Sequence, residues 1–168
     1  MKHARHRAAV ATLGVAASAI AATAAVASPP FGFNATNLVA EAELPAPVRV
    51  NSDRIKFQTK GPVDVRVQSV TIDPRSSSNP GGGNSGWHHH PGMVLVAVQT
   101  GTVTVLDSAC HATDYGPGSP NGSVFVESGD DPGEVRNTTD HPATVYATLI
   151  APDADPPVFR VEDEPACR

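Results

Sequence analysis

The sequence has little basic charge, which bears on its partners. Its 168 residues include 12 Lys and Arg against 17 Asp and Glu, a net charge of −5. Three of the basic residues lie in the first seven positions, so the rest of the chain carries nine basic and 17 acidic residues, or −8. Nucleic acids and anionic membrane surfaces both attract basic faces. We therefore expect neither nucleic acid nor, after removal of the N-terminal segment, a membrane as a partner.

Motifs for covalent and nucleotide chemistry are also missing. The sequence has no Gly-x-Ser-x-Gly nucleophile elbow, no phosphate-binding loop and no dinucleotide fingerprint. It contains two cysteines, Cys110 and Cys167. In an exported chain two cysteines predict one disulfide, because a free thiol near an exposed tail is a liability outside the cell. Two unrelated thiols are the alternative.

The N-terminus has the pattern of a secretory signal peptide. Lys2, Arg5 and Arg7 form a basic start, an uncharged run rich in Ala and Val follows, and residues 25–27 read Ala-Val-Ala. We predict that residues 1–27 are a signal peptide cleaved before Ser28 and that the protein is secreted from a bacterial cell. An uncleaved anchor is the alternative, because the run is almost long enough to cross a bilayer.

Residues 28–168 lack long helical periods. Short alternating or β-branched segments separated by Gly, Pro, Asn and Asp take their place. We predict strands at 54–59, 63–72, 93–106 with a turn at Thr100-Gly101, 123–127, 133–137 and 143–151. Strands of this length and spacing predict an all-β sandwich or barrel of antiparallel strands.

The apolar residues of these strands are the expected core. They include Phe57, Phe125, Tyr146 and the alternating valines of 63–72. No internal repeat is visible, so we expect one barrel. We divide the chain into the signal peptide, an N-terminal extension with first strands at 28–55, the barrel at 56–151 and an acidic, Pro-rich tail at 152–168.

The stretch GWHHHPG, residues 86–92, is the candidate for a metal site. Side chains alternate between the faces of a strand, so His88 and His90 point the same way and His89 points to the opposite side. Two imidazoles on one face supply half of a tetrahedral or octahedral metal site. By spacing alone, a polar strand entry with hydrogen-bonded histidines is the alternative.

The sequence around this pair resembles the first motif of the cupin superfamily. In SGWHHHPGMVLVAVQTGTVTV, Gly86, His88, His90 and Gly101 stand at matching places, and Asn137 matches the Asn of the second motif. The likeness covers roughly residues 56–151 and is to small, secreted, single-barrel cupin proteins of bacteria. It implies a jelly-roll β-barrel with a small-molecule or metal site in its mouth.

The resemblance implies four metal ligands, but Val94 stands at the place of the acidic one and Gly133 at that of the last histidine. If Asp131 turns inward, two histidines and one carboxylate form the facial arrangement of non-haem Fe(II) enzymes. We therefore expect His88, His90 and Asp131 to hold a divalent metal weakly, with Mn, Fe, Ni and Zn all open. The alternative is that Asp131 is a solvated turn residue.

Trp87, the only tryptophan, and Gln99 are the candidates for the wall of a ligand pocket, with packing on the barrel rim as the alternative for Trp87. Three functions stay open. The chain binds a small molecule or a weakly held metal without an assigned reaction, or it is a metal-dependent enzyme of the dioxygenase or isomerase type, or it is a structural module without a site. A homodimer is also expected, because edge-strand pairing is common in the family that the sequence resembles.

Overall fold

A computed structural model describes residues 27–167 of the chain. The predicted signal peptide therefore lies outside the described residues, apart from Ala27. Within 27–167 the backbone forms strands and loops, with no helix and so none that could span a membrane.

The described residues contain twelve strands. They are β1 (Phe33–Leu44), β2 (Arg49–Asn51), β3 (Lys56–Gln58), β4 (Val63–Ile72), β5 (His88–His89), β6 (Met93–Thr100), β7 (Val103–Leu106), β8 (Ala112–Tyr115), β9 (Val124–Ser128), β10 (Glu134–Arg136), β11 (Ala143–Pro152) and β12 (Val161–Glu162). The predicted all-β class is confirmed. The predicted turn after Thr100 separates β6 from β7, where Gly101 adopts a φ of 75° that suits glycine.

Five strands form the main sheet, antiparallel throughout and in the order β1-β4-β11-β6-β9. A second layer contains the sheet β10-β7-β8 and the pair β12-β5. Isolated bridges join its parts, because His88 pairs with Gly133 beside β10 and Asn84 pairs with Arg136. We call this the site layer. The hydrogen-bonded strands thus form separate sheets, and not the closed barrel that we expected.

The hydrophobic core lies between the main sheet and the site layer. Buried side chains of both layers form one cluster, which includes Val70 and Ile72 from β4, Val103 from β7 and Val135 from β10. Phe125 of β9 belongs to it, as predicted. The two strands that follow the histidines in the chain, β6 and β7, therefore bury apolar side chains in this core.

The inner face of β4 carries polar side chains that we had assigned to the outside. Arg66 and Gln68 line a cavity between the layers, whereas Val65 and Val67 alternate with them and are half-buried on the outer face. The expectation that these valines form the core is therefore wrong. Alternation shows which side chains share a face, but the cavity decides which face lies inside.

Two aromatic residues were also misplaced. Tyr146 is 38% exposed on the outer face of the main sheet. Phe57 is half-buried on the separate β2-β3 hairpin and is not part of the core cluster. Strand parity places Tyr146 on the outer face, and the topology separates Phe57 from the core. Short-range alternation reveals neither.

The acidic C-terminal segment folds back over the site layer. Phe159 is buried in the core, β12 pairs with β5, and Cys167 forms a disulfide with Cys110 in the loop between β7 and β8. The predicted disulfide is thus present in the structure. It fixes the end of the chain to the loop between β7 and β8.

Candidate metal centre

His88 and His90 lie at the junction of β5 and the loop that leads into β6. Their side chains are buried, with 5% and 7% of the residue surface exposed, and their ring centroids are 4.8 Å apart. His89 points away and its Nδ1 lies 2.6 Å from Asp163 Oδ2. The predicted alternation of the three histidines is what the structure has.

Backbone carbonyls fix the orientation of both imidazoles. His88 Nδ1 lies 2.8 Å from the carbonyl oxygen of Gly86, and His90 Nδ1 lies 2.5 Å from that of Phe159. A carbonyl oxygen only accepts, so each Nδ1 carries the proton and donates it. In the neutral form of a ring held in this way, Nε2 carries the free lone pair, which is the arrangement that a metal-binding histidine needs.

Gly86 makes the first of these contacts possible. It adopts a left-handed φ of 68°, and a Cβ on it would lie 1.9 Å from the carbonyl oxygen of Ser28. No side chain larger than hydrogen fits there. The glycine thus lets the chain pass close to Ser28, with the carbonyl oxygen of Gly86 directed towards His88.

The third member of the group is Glu127 of β9. Glu127 lies directly opposite Val94 of β6, and opposite residues of an antiparallel pair project to the same face. One ligand atom each of His88, His90 and Glu127 lie within 4.8 Å of one another. A carboxylate therefore lies beside Val94, the position at which the sequence resemblance led us to expect an acidic ligand, but on the neighbouring strand.

The electrostatics of the group favour a neutral, unprotonated His88. The pKa of His88 is lowered to about 4, first by burial and then by the positive charge of Arg160, against an opposing effect of Glu127. At neutral pH this imidazole is therefore uncharged and offers a lone pair. Because His88 is uncharged, the two adjacent imidazole rings do not bring two positive charges together.

His90 Nε2 gives an independent sign of a missing partner. It is buried and has no hydrogen-bond partner among the described residues, although Glu127 Oε2 lies 3.3 Å away outside hydrogen-bonding geometry. Buried polar atoms are nearly always paired, so an orphan of this kind calls for an explanation. A metal ion between the imidazoles and the carboxylate supplies one.

The carboxylates of the turn after β9 are not in this group. Asp131 is exposed and accepts a hydrogen bond of 2.8 Å from Ser108 Oγ. It lines a second cleft that also reaches both histidines, but the carboxylate grouped with their ligand atoms is that of Glu127. Glu134 is buried and paired with Arg136 at 2.6 Å. Gly133 serves β5 through two backbone hydrogen bonds to His88.

A cavity of about 240 Å³ adjoins the group between the two layers. Its walls are mainly apolar residues of the main sheet, such as Val96, Val145 and Leu149. Neither predicted pocket residue lines it. Trp87 is 1% exposed and packs inside the site layer, and Gln99 is exposed near the end of β6. The parity of β6 explains Gln99, because Val94, Val96 and Val98 are the buried residues of that strand.

Comparisons with known proteins identify the fold. No family model matches the sequence, and no curated protein is similar to it. Solved structures do match. A polyketide cyclase from Streptomyces resistomycificus is 12% identical, with 87% of this chain and 86% of that chain covered and a TM-score of 0.50. At 12% identity this match shows a shared fold and nothing finer.

Two further structures match with lower scores. A cupin-2 domain protein from Rhodospirillum rubrum is 11% identical over 82% of this chain and 68% of that chain, with a TM-score of 0.49. A cupin 2 conserved barrel domain protein from Salinispora arenicola is 14% identical over 86% of this chain and 92% of that chain, with a TM-score of 0.45. At such identities the likeness concerns the fold, and the function has to be argued from the site.

Proposed function

We propose that this protein binds a divalent metal ion through His88, His90 and Glu127, and a small organic molecule in the adjoining cavity. The observation that carries the proposal is the arrangement of the two imidazoles and the carboxylate. Each Nδ1 is hydrogen-bonded to a backbone carbonyl, which leaves Nε2 available to a metal. One ligand atom each of His88, His90 and Glu127 lie within 4.8 Å of one another. The buried, unpartnered Nε2 of His90 supports it.

The donor set narrows the metal to a group of ions. Two imidazoles and one carboxylate suit Mn, Fe, Ni and Zn, and hard ions such as Mg²⁺ prefer oxygen alone. Three protein ligands leave coordination positions open for a bound molecule. We expect weaker retention than in a four-ligand site, because Val94 and Gly133 stand at the two places where the cupin motifs supply further ligands.

Export of the protein is part of the same proposal. The Cys110–Cys167 bond needs an oxidising compartment to persist, which agrees with the signal-peptide pattern of residues 1–27. The homodimer expected from the sequence stays a prediction, and size-exclusion chromatography with light scattering tests it.

Metal analysis of matched variants tests the site. We expect the exported wild-type protein to hold close to one metal ion per chain by inductively coupled plasma mass spectrometry. The variant Glu127→Gln and the pair His88→Ala/His90→Ala should lose it. Asp131→Asn is the control, because it removes a carboxylate from the second cleft and leaves the group intact. Wild-type protein that takes up none of Mn, Fe, Ni or Zn contradicts the proposal.

A metal-dependent enzyme is the second candidate. It is favoured by the position of the ligand atoms, since both histidines and Glu127 line the cavity in which a bound molecule would lie. A metal held there by His88, His90 and Glu127 would supply Lewis-acid polarisation of an oxygen atom of the ligand. Metabolite mixtures incubated with wild-type protein or Glu127→Gln and compared by mass spectrometry test this. A mass change that needs Glu127 supports an enzyme, and ligand binding without any conversion contradicts it.

A further inference from the structure

We propose that the cavity ligand is a small apolar organic acid and that Arg66 binds its carboxylate. The proposal rests on the proposed function only in taking the cavity next to the metal centre as the place of the ligand. Arg66 lies on the inner face of β4, at the opposite end of the cavity from the metal centre. It would determine which molecules the protein accepts.

Strand register sets the distance between the two ends of the cavity. Arg66 pairs with Leu149, Leu149 with Val94, and Val94 with Glu127, so the four residues form one row across four strands. Adjacent strands are about 4.8 Å apart, which puts the backbones of Arg66 and Glu127 about 14 Å apart. Both side chains point into the cavity and shorten the gap that a ligand has to span.

The guanidinium of Arg66 is held but not neutralised. Its Nε donates to the carbonyl oxygen of Ala40 at 2.9 Å, and its Cζ lies 4.2 Å from the ring centroid of Phe159. These contacts leave both terminal nitrogens without a hydrogen-bond partner in residues 27–167. A fixed, planar pair of donors is the geometry that binds a carboxylate through two hydrogen bonds.

Two nearby arginines show what Arg66 lacks. Arg136 is paired with Glu134, and Arg160 is paired with Glu162. Arg66 forms no ion pair with an acidic residue in the described part of the chain, although it lines a mainly apolar cavity. Its guanidinium thus offers a positive charge and free donors to the cavity, so an anionic ligand is the expected partner.

The rest of the cavity sets the body of the ligand. Most of its wall consists of Val, Leu and Ala side chains of β4, β6 and β11, and the polar residues Gln68, Ser85 and Arg160 also line it. The volume of about 240 Å³ lies just below the range of about 300–1,000 Å³ for small-molecule sites. Both features favour a compact hydrocarbon or aromatic body with one carboxylate.

Matched acids and amides test the proposal on the wild-type protein. The probes are benzoate, phenylacetate and hexanoate, each compared with its neutral amide by isothermal titration calorimetry up to millimolar concentration. We expect at least one acid to bind and its amide to bind roughly tenfold to hundredfold more weakly, as for the loss of a hydrogen bond to a charged group. Equal binding of acid and amide, or no binding of any acid, overturns the proposal.

Variants then assign the discrimination to Arg66. Arg66→Gln should lose the preference for the acid and keep its metal, and Arg54→Gln is the control because the Arg54 side chain is 92% exposed. Wild-type protein stripped of metal by a chelator should keep the preference. If the preference is lost with the metal and kept in Arg66→Gln, the carboxylate binds at the metal and the proposal is overturned. Failure of the proposed function appears separately, as wild-type protein without metal.

Discussion

The main sheet and the site layer position their side chains by different means. The main sheet has strands of up to 12 residues, and β4 and β11 pair over ten consecutive positions. In the site layer, β5 and β12 have two residues each and β10 has three. Long ladders fix the direction of every side chain in the main sheet through register alone. The short strands cannot do this for the histidines.

Individual contacts orient the ligands where the strands are short. A carbonyl from the loop before β5 holds His88, and a carbonyl from the returning C-terminal segment holds His90. Only Glu127 stands on the main sheet. The orientation of the ligands in the site layer thus depends on contacts with the C-terminal segment, whereas side-chain positions in the main sheet depend on strand register and core packing. Changes in the two regions should therefore affect metal binding and stability in different proportions.

The largest effect should come from the disulfide. Cys110→Ser/Cys167→Ser releases a cross-link between residues 57 apart, so we expect the free energy of unfolding to fall by roughly 2–4 kcal/mol. Metal affinity should fall as well, because the freed tail carries the carbonyl that orients His90. Urea denaturation and metal titration of the same variant measure both. Unchanged metal affinity in the folded variant would show that the tail does not hold the site.

The strands of the main sheet could largely be predicted from the sequence, because hydrophobic alternation is a local signal. The segment 63–72 is β4 to the residue, and 143–151 differs from β11 by one position. The edge strand β1 lies in the segment 28–55, where first strands were expected without bounds, since ten of its 12 residues are exposed and give no apolar pattern. Sheet order and the inward turn of Arg66 depend on pairing between distant segments, which alternation does not contain.

The site could be predicted in part. The histidine pair follows from strand parity and from the motif. The carboxylate that lies beside the histidines, Glu127, was not among the candidates from the sequence, because the register that places it opposite Val94 joins β6 to β9 across the β7-β8 hairpin. One local signal was available in SVFVE: Glu127 shares a face with Phe125, which is buried. A charged residue on the inner face of a strand is a candidate for function.

A smaller change in the main sheet should separate stability from metal binding. Ile72 of β4 is fully buried, and Ile72→Val removes one methylene from the core. We expect a loss of about 1 kcal/mol in the free energy of unfolding and no change in metal affinity, since the ladder keeps its register. Urea denaturation and metal titration check the pair of values. A weakened metal site would mean that the two layers are coupled more closely than their contacts indicate.

The smallest effect is expected for His89, the histidine that faces away. Its imidazole pairs with Asp163, and both side chains are about a quarter exposed, at 22% and 24%. Solvent weakens such a pair, so His89→Ala should cost about 0.5 kcal/mol of stability. Metal content should stay at the wild-type value. The substitution His88→Ala at the neighbouring position should instead lower it. Loss of metal from His89→Ala, with the variant folded by circular dichroism, would show that the β5-β12 contact orients the ligands as strongly as the two carbonyls do.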